Sequence, residues 1–390
     1  LFPDRQHFKG ALLAFLLLAA APTAVMGQEL KVTPSLAAKE EYNDNIFLAT
    51  GNGVDDFITT LTPSLELSSR TERHDTSLSG GINWLNYARH SGNDAVDYFG
   101  NGAVGFQINE RLAISAGASY TRDSRPDQID PATGLSINSE SRVQNYQAGV
   151  SYMATEKSKV SLSYGYSQQE YDRANLLGSR QHQAAAGLSY TLTPQASLEN
   201  AFTFNRQLTD VSQVDNYSAT LGLSYRLREL WSLSLKAGGR YTSTDLFSGG
   251  SSNSSNGEGG WVGNLSFIYS GEKLNGAVSF NHDISLAAGR TGSTERTGGS
   301  VTLGNRFTQE LSGAVDFGYF WNKSNRDQFS VLPIDEKTLE LNCKLHYDLN
   351  NDLALEANYH RVATDYAQFG TRANQNTFMV QLVMRHLFFL

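Results

Sequence analysis

From residue 30 onward, apolar and polar residues alternate with a period of two in segments of about 12 to 15 residues, the signature of strands with one apolar face. Tyr217, Ala219, Leu221, Leu223 and Tyr225 share one face, against Asn216, Ser218, Thr220, Gly222, Ser224 and Arg226. Leu339, Leu341, Cys343, Leu345 and Tyr347 do the same against Glu340, Asn342, Lys344 and His346. Eighteen such segments begin near residues 30, 55, 74, 96, 110, 142, 157, 181, 195, 214, 230, 258, 272, 296, 310, 335, 351 and 376. Their connections alternate in length. Every second one is a tight polar turn, such as Thr71-Glu72, Glu156-Lys157 or Asn350-Asn351. The others are longer: 43–54, 88–95, 125–140, 171–180, 208–213, 244–257, 285–295, 322–334 and 367–375. Strict short–long alternation predicts an all-β fold, a transmembrane up-and-down antiparallel β-barrel of 16–18 strands, with eighteen preferred.

The apolar face carries a second regularity. The residue before a short turn is repeatedly aromatic, as at Tyr152, Tyr190, Tyr225, Tyr269 and Tyr347. At the opposite strand ends the same face holds Trp84, Tyr120, Tyr166, Phe204, Tyr241, Phe280, Tyr319, Trp321 and Tyr359. Rings with an apolar body and a polar edge settle at the two lipid–water boundaries. Because an unpaired backbone group in hydrocarbon costs several kcal/mol, a sheet in that setting must close on itself. A barrel of this strand number leaves a water-filled lumen.

Composition agrees with strands in lipid: 18% charged residues, 35 Gly, 18 Tyr and 20 Phe, with 8 Pro. The formal charge of -8, with no basic block, argues against a nucleic-acid partner, since phosphate contacts need clustered cations. A single cysteine excludes an internal disulfide and a multi-cysteine metal site. At the start, Arg5, His7 and Lys9 precede an apolar run from Ala11 to Ala21, followed by Val25 and Gly27 at the positions of a small-residue cleavage site. This pattern predicts a cleaved signal peptide over residues 1–27 and an outer-membrane barrel over 28–390.

The face opposite the aromatics supplies the candidate lumen residues: Glu66, Asp97, Arg226, Lys236, Arg240, Arg306, Asp316, Glu340, Lys344 and Glu356. Both charge signs alternate among abundant Ser, Thr, Asn and Gln, which suits a weakly selective polar conduit. The loops 125–140 and 244–257 are the candidates for folding inward. His346 and His360, with Glu340 and Glu356 nearby, read as polar wall rather than as a metal or acid–base site. His282 and Asp283 fall on opposite faces and cannot form a dyad within one strand. No hydrolase elbow, phosphate loop or metalloprotease motif is present, so neither catalysis nor a cofactor is expected.

The chain ends on alternating Phe378, Val380, Leu382 and Met384, then Phe388 and Leu390, a pattern that resembles the terminal signal read by the outer-membrane assembly machinery. Near the other end, the first strand runs into Tyr42-Asn43-Asp44-Asn45-Ile46-Phe47. In a chain of this architecture, that motif resembles the Putative β-barrel porin 2 group. The motif is expected to turn the chain at the membrane surface, with Asn and Asp taking left-handed dihedrals and Ile46 and Phe47 anchored in the interface. The resemblance implies an outer-membrane channel for exopolysaccharide export, working with a periplasmic export protein and passing a polysaccharide. Rival expectations are a diffusion porin for small hydrophilic solutes, a barrel scaffold around a cytochrome, and a barrel-type hydrolase.

Overall fold

The computed structural model describes residues 30–389 except 130–134, 136, 138, 174–175, 249–250, 288, 291 and 327. The proposed signal peptide and Leu390 therefore lie outside the described residues. The first nine long strands are β1 (Leu30–Asn43), β2 (Asp56–Arg70), β3 (His74–Tyr87), β4 (Ala95–Gln107), β5 (Leu112–Asp123), β6 (Ser141–Met153), β7 (Ser158–Tyr171), β8 (Ser179–Thr193) and β9 (Ala196–Leu208). The other nine are β10 (Ser212–Arg228), β11 (Trp231–Ser248), β12 (Ser251–Ser270), β13 (Leu274–Leu286), β14 (Ser293–Arg306), β15 (Leu311–Ser324), β16 (Ile334–Asp348), β17 (Leu353–Tyr366) and β18 (Thr371–Arg385). Each pairs antiparallel with its chain neighbour, and β1 pairs with β18 from Ser35↔Arg385 to Asn43↔Thr377. Beyond a short break, Phe388 and Phe389 continue the last strand against Val32 and Lys31. The sheet is thus a closed eighteen-stranded barrel, as backbone satisfaction in lipid requires.

Six of the eight short turns share one chemistry. Thr71, Asn109, Thr155, Thr193, Thr308 and Asn350 each lie three residues before the next paired backbone, and the side-chain oxygen accepts two backbone N–H groups. At Asn350, for example, Oδ1 accepts from Asp352 and Leu353 at 2.9 Å each. Such local bonds compete with strand continuation and turn the chain within four residues.

Two connections expected to be long are short. Residues 209–211 form a tight turn because Thr209 repeats the same capping, its Oγ1 accepting from Ser212 N at 3.0 Å. The stretch 244–257 is mostly paired strand, since β11 and β12 stay in register from Trp231↔Tyr269 out to Ser248↔Ser251. Its Ser, Asn and Gly residues form a ladder rather than an inward loop, because pairing needs backbone groups and not apolar side chains. Above Gly263↔His282, β12 parts from β13, and side chains make the link instead: Gln328 donates to Glu258 at 2.7 Å and Arg240 to Glu295 at 2.9 Å.

Among the described residues, no continuous apolar core fills the barrel. Buried apolar side chains form three small clusters, all at the long-loop end: Ile46 with Ile58, Leu85 and Tyr87; Leu48 with Val362, Tyr366 and Ala373; and Leu135 with Ala287 and Ile334. Each joins a loop to the inner wall. The loops therefore fold into the mouth rather than stand clear of it.

Candidate functional site: the lumen and its loops

The alternation of each strand sends Leu, Val and aromatic side chains outward, and the polar set inward. Leu221, Leu235, Val278, Leu303 and Val380 are exposed on the outside. Tyr152, Tyr190, Tyr225 and Tyr347 are exposed at the short-turn end of that face, and Tyr269 is half-buried against Trp231, with ring centroids 4.5 Å apart. Phe388 is likewise exposed.

Inside, the connection between β5 and β6 crosses the lumen. Its base is fixed by Asp97, 3% exposed, whose Oδ2 accepts from the Ser124 N–H and hydroxyl at 3.1 Å each. Gln128 locks the bend: Nε2 donates to the Asp123 and Arg125 carbonyls at 2.6 and 2.9 Å, and Oε1 accepts from Ser141 Oγ at 2.6 Å. The tip reaches the far wall, where Asp127 Oδ2 accepts from Asn43 Nδ2 at 2.8 Å and from Gln375 Nε2 at 2.7 Å. Burial at this position pushes the Asp127 carboxyl above its ordinary range. Ile129 packs on the Leu48 and Val362 cluster, and Leu135 joins Ala287 and Ile334.

Further ties cross the same mouth. Leu177, in the β7–β8 loop, bridges Gly289 in the β13–β14 loop, its N–H donating at 3.1 Å. Ser293 Oγ donates to Gln207 Oε1 on β9, and Arg290 pairs with the fully buried Glu336. Phe329 is buried beneath the Arg240 guanidinium, 5.3 Å from its ring centroid. These ties narrow the long-loop end of the lumen.

Below these ties lies a cavity of 1060 Å³. Amides and hydroxyls dominate its wall, among them Asn145, Gln169, Gln181, Asn205, Asn342 and Asn358. Asp316, Glu340 and Lys344 of the expected set line it; Asp316 Oδ1 accepts from Thr302 at 2.8 Å. Phe320 presents one inward aromatic face, with the Arg296 guanidinium 4.6 Å from its centroid. The other expected residues are distributed differently. Lys236 pairs with Glu199 at 2.6 Å. Arg240 is buried, donating to Thr242 at 3.0 Å and Glu295 at 2.9 Å. Glu356 meets His346 at 3.1 Å near the short-turn end, where Glu66, Arg226 and Arg306 are exposed.

His346 and His360 are not brought together. Register places His346 opposite Glu356 and His360 opposite Asn342, so His346 bonds Glu356 and Asp348 while His360 faces the cavity. Among the described residues, no group of three His, Cys, Asp or Glu side chains could hold a metal ion. His282 bonds Thr297 and Glu295, not Asp283.

The Tyr42–Phe47 motif acts otherwise than expected. Asp44 accepts from the backbone and side-chain nitrogens of Asn376 at 2.7 Å each. Asn45 donates to the Asn374 carbonyl at 2.9 Å. These bonds clamp β1 to β18 at the mouth. Ile46 is 1% exposed inside the barrel rather than in the lipid interface, because the loop folds inward and takes it along. The left-handed residue is Leu48, with φ of 45°, not Asn or Asp.

Lys39, Glu41, Asp123, Arg125 and Asp127 also line the lumen and were not among the expected residues. Lys39 and Glu41 were legible, since they share the inward parity of Asn43. The three loop residues carry no periodicity that could place them.

A closed eighteen-stranded sheet with an apolar exterior, aromatic borders and a polar lumen defines the fold of an outer-membrane β-barrel porin. Residues 29–184 match the model of the family described as "Putative beta-barrel porin 2", the group that the Tyr42–Phe47 motif resembles. No curated protein matches the chain. Similar solved structures include OccAB4 of Acinetobacter baumannii, 12% identical over 94% of this chain and 100% of that one, with a TM-score of 0.49. Another is OccK3 (OpdO) of Pseudomonas aeruginosa, 12% identical over 93% of this chain and 96% of that one, with a TM-score of 0.46.

Proposed function

We propose that this barrel is a passive, loop-constricted channel for small uncharged hydrophilic solutes of the sugar kind. The observation that carries the reading is the 1060 Å³ cavity, walled by amides and hydroxyls with both charge signs interspersed. Its volume is at the upper end of small-molecule sites, about 300–1,000 Å³, and so suits a short oligosaccharide better than a bulky polymer. Amide and hydroxyl side chains both donate and accept, so they replace the hydration of a polyol without selecting a charge. The long-loop end faces the cell exterior, the chain is delivered there by a cleaved signal peptide, and the assembly machinery reads the strand ending in Phe388 and Leu390.

A second reading is exopolysaccharide export with a periplasmic partner, favoured by the family match over residues 29–184. Proteoliposome swelling with neutral sugars of graded size separates the two. Entry of mono- and disaccharides, with a sharp cutoff above, is expected. No permeation by any of them, together with loss of surface polysaccharide when the gene is deleted, would replace the first reading by the second.

A further inference from the structure

The connection between β5 and β6 divides the lumen. Besides the cavity already described, a smaller chamber of 470 Å³ lies on the side of β2–β4. Lys39, Thr121, Asp123 and Arg125 border both spaces, so the start of the connection is the partition. The rest of the small chamber is walled chiefly by Thr60, Thr62, Asn83, Asp97, Phe99 and Asn101. Strand alternation puts these side chains inside, opposite in parity to the outward Leu61 and Trp84.

Two buried polar groups in this wall lack partners. Asp97, 3% exposed, commits Oδ2 to the Ser124 N–H and hydroxyl, while its Oδ1 has no hydrogen bond. The Thr60 hydroxyl is buried and likewise unbonded. Asn83 stands directly opposite Asp97, but its Oδ1 accepts from the Thr62 hydroxyl at 2.7 Å. Buried polar groups are nearly always satisfied, and a charged one left short costs more than a neutral one.

The cations that line the chamber are already engaged. Lys39 holds Glu41 at 2.7 Å, Arg122 holds Glu140 with two bonds, and Arg125 lies 3.5 Å from Asp123. Arg142 shares Glu140 and reaches Asp172. With Asp127 beyond the partition, this set has four cations against six carboxylates, and Asp97 makes no ion pair among the described residues. Nor do three His, Cys, Asp or Glu groups converge there to suit a divalent metal.

We propose that the small chamber binds a small polyhydroxylated solute through a protonated primary amine, an amino sugar, with its ammonium on Asp97 and a hydroxyl on Thr60. An ammonium carries three donors and no acceptor, and a carboxylate carries acceptors alone, so the two are complementary. Bonds between them are charge-assisted and therefore strong. Thr62 and Asn101 offer partners for further hydroxyls, and Phe99, lying across Gly81, adds an apolar stretch of wall. The volume lies within the range of about 300–1,000 Å³ usual for small-molecule sites. The site goes beyond the transport reading, since a neutral solute has no need of it.

The test uses the full barrel in an uncharged maltoside detergent and saturation-transfer NMR, with glucosamine, glucose and N-acetylglucosamine as ligands. The three share one ring and differ at one substituent: an ammonium, a hydroxyl or a neutral acetamide. Glucosamine is expected to bind about tenfold more tightly than the other two, as one charge-assisted bond allows. Asp97→Asn is expected to erase that preference, with heat-dependent gel mobility reporting whether the variant is folded. Thr60→Val keeps the shape and the carboxylate and serves if Asp97→Asn does not fold; it is expected to weaken glucosamine binding severalfold. Equal binding of the three sugars, or an undiminished preference in either folded variant, would overturn the proposal. Displacement of glucosamine by sodium ion as effective as by a second amine would show a simple monovalent-cation site instead. Sugar passage in the swelling assay is read separately, so failure there and failure here are distinguishable.

Discussion

The two ends of the lumen are built from the same residue types but to different effect. At the long-loop end, charged and amide side chains are buried and tied across the opening: Asp127 to Asn43 and Gln375, Arg290 to Glu336, Ser293 to Gln207. At the short-turn end they are exposed or half-buried and pair along the wall rather than across it, as His346 with Glu356 at 3.1 Å and Arg385 with Asp348 at 3.9 Å. One end spends its polar groups on closing the mouth and the other leaves them to water. In the proposed channel, solute selection would fall to the narrowed end, because a wide wet vestibule discriminates little.

The largest test of that contrast is removal of the crossing loop. Replacing residues 126–138 by a short glycine–serine link should make the two ends alike and raise single-channel conductance in planar bilayers severalfold. An unchanged conductance would show that the occlusion lies elsewhere. A smaller but sharper comparison sets one arginine against another. Arg290→Ala strands the buried Glu336 carboxylate and should cost about 3 kcal/mol in urea unfolding from lipid vesicles. Arg385→Ala, at an exposed pair, should cost less than about 1 kcal/mol. Equal costs would remove the distinction between the ends.

The smallest effect concerns acid. The Arg122 guanidinium holds the Glu140 carboxyl below the usual carboxylate range, so this tie is fully present above that range and is lost as pH falls through the depressed value. Protection of the amides at the start of β6, relative to their intrinsic exchange rate, should therefore fall on acidification below about pH 4. Glu140→Gln should remove that pH dependence while leaving exchange near Glu356 unchanged.

The wall was far more legible than the mouth. Period-two alternation and turn residues located strand starts such as 30, 74 and 112 to within about two residues, because each side chain's face is set by parity alone. The same rule placed Asp316, Glu340 and Lys344 on the inside. It failed where parity carries no information. The polar stretch 244–257 looked like a loop, since pairing above the bilayer is indifferent to side chains, and β12 begins at Ser251 rather than near 258. Thr209 hid a tight turn inside an apparently long connection, although its resemblance to Thr71 and Thr155 was visible. Loop residues such as Arg125 and Asp127 depend on contacts with β1 and β18, at opposite ends of the chain, that no local pattern announces. Ile46 was misplaced for the same reason.

The pairing of Ser35–Asn43 with Thr377–Arg385 also sets a timetable. The first strand made can find its permanent neighbour on one side at once, but on the other only after the last strand has been synthesised. Until then every nascent form carries two hungry backbone edges, which invite mispairing with one another's copies. Closing this wall therefore waits for the far end of the barrel, and the Asp44–Asn376 clasp stands at that seam.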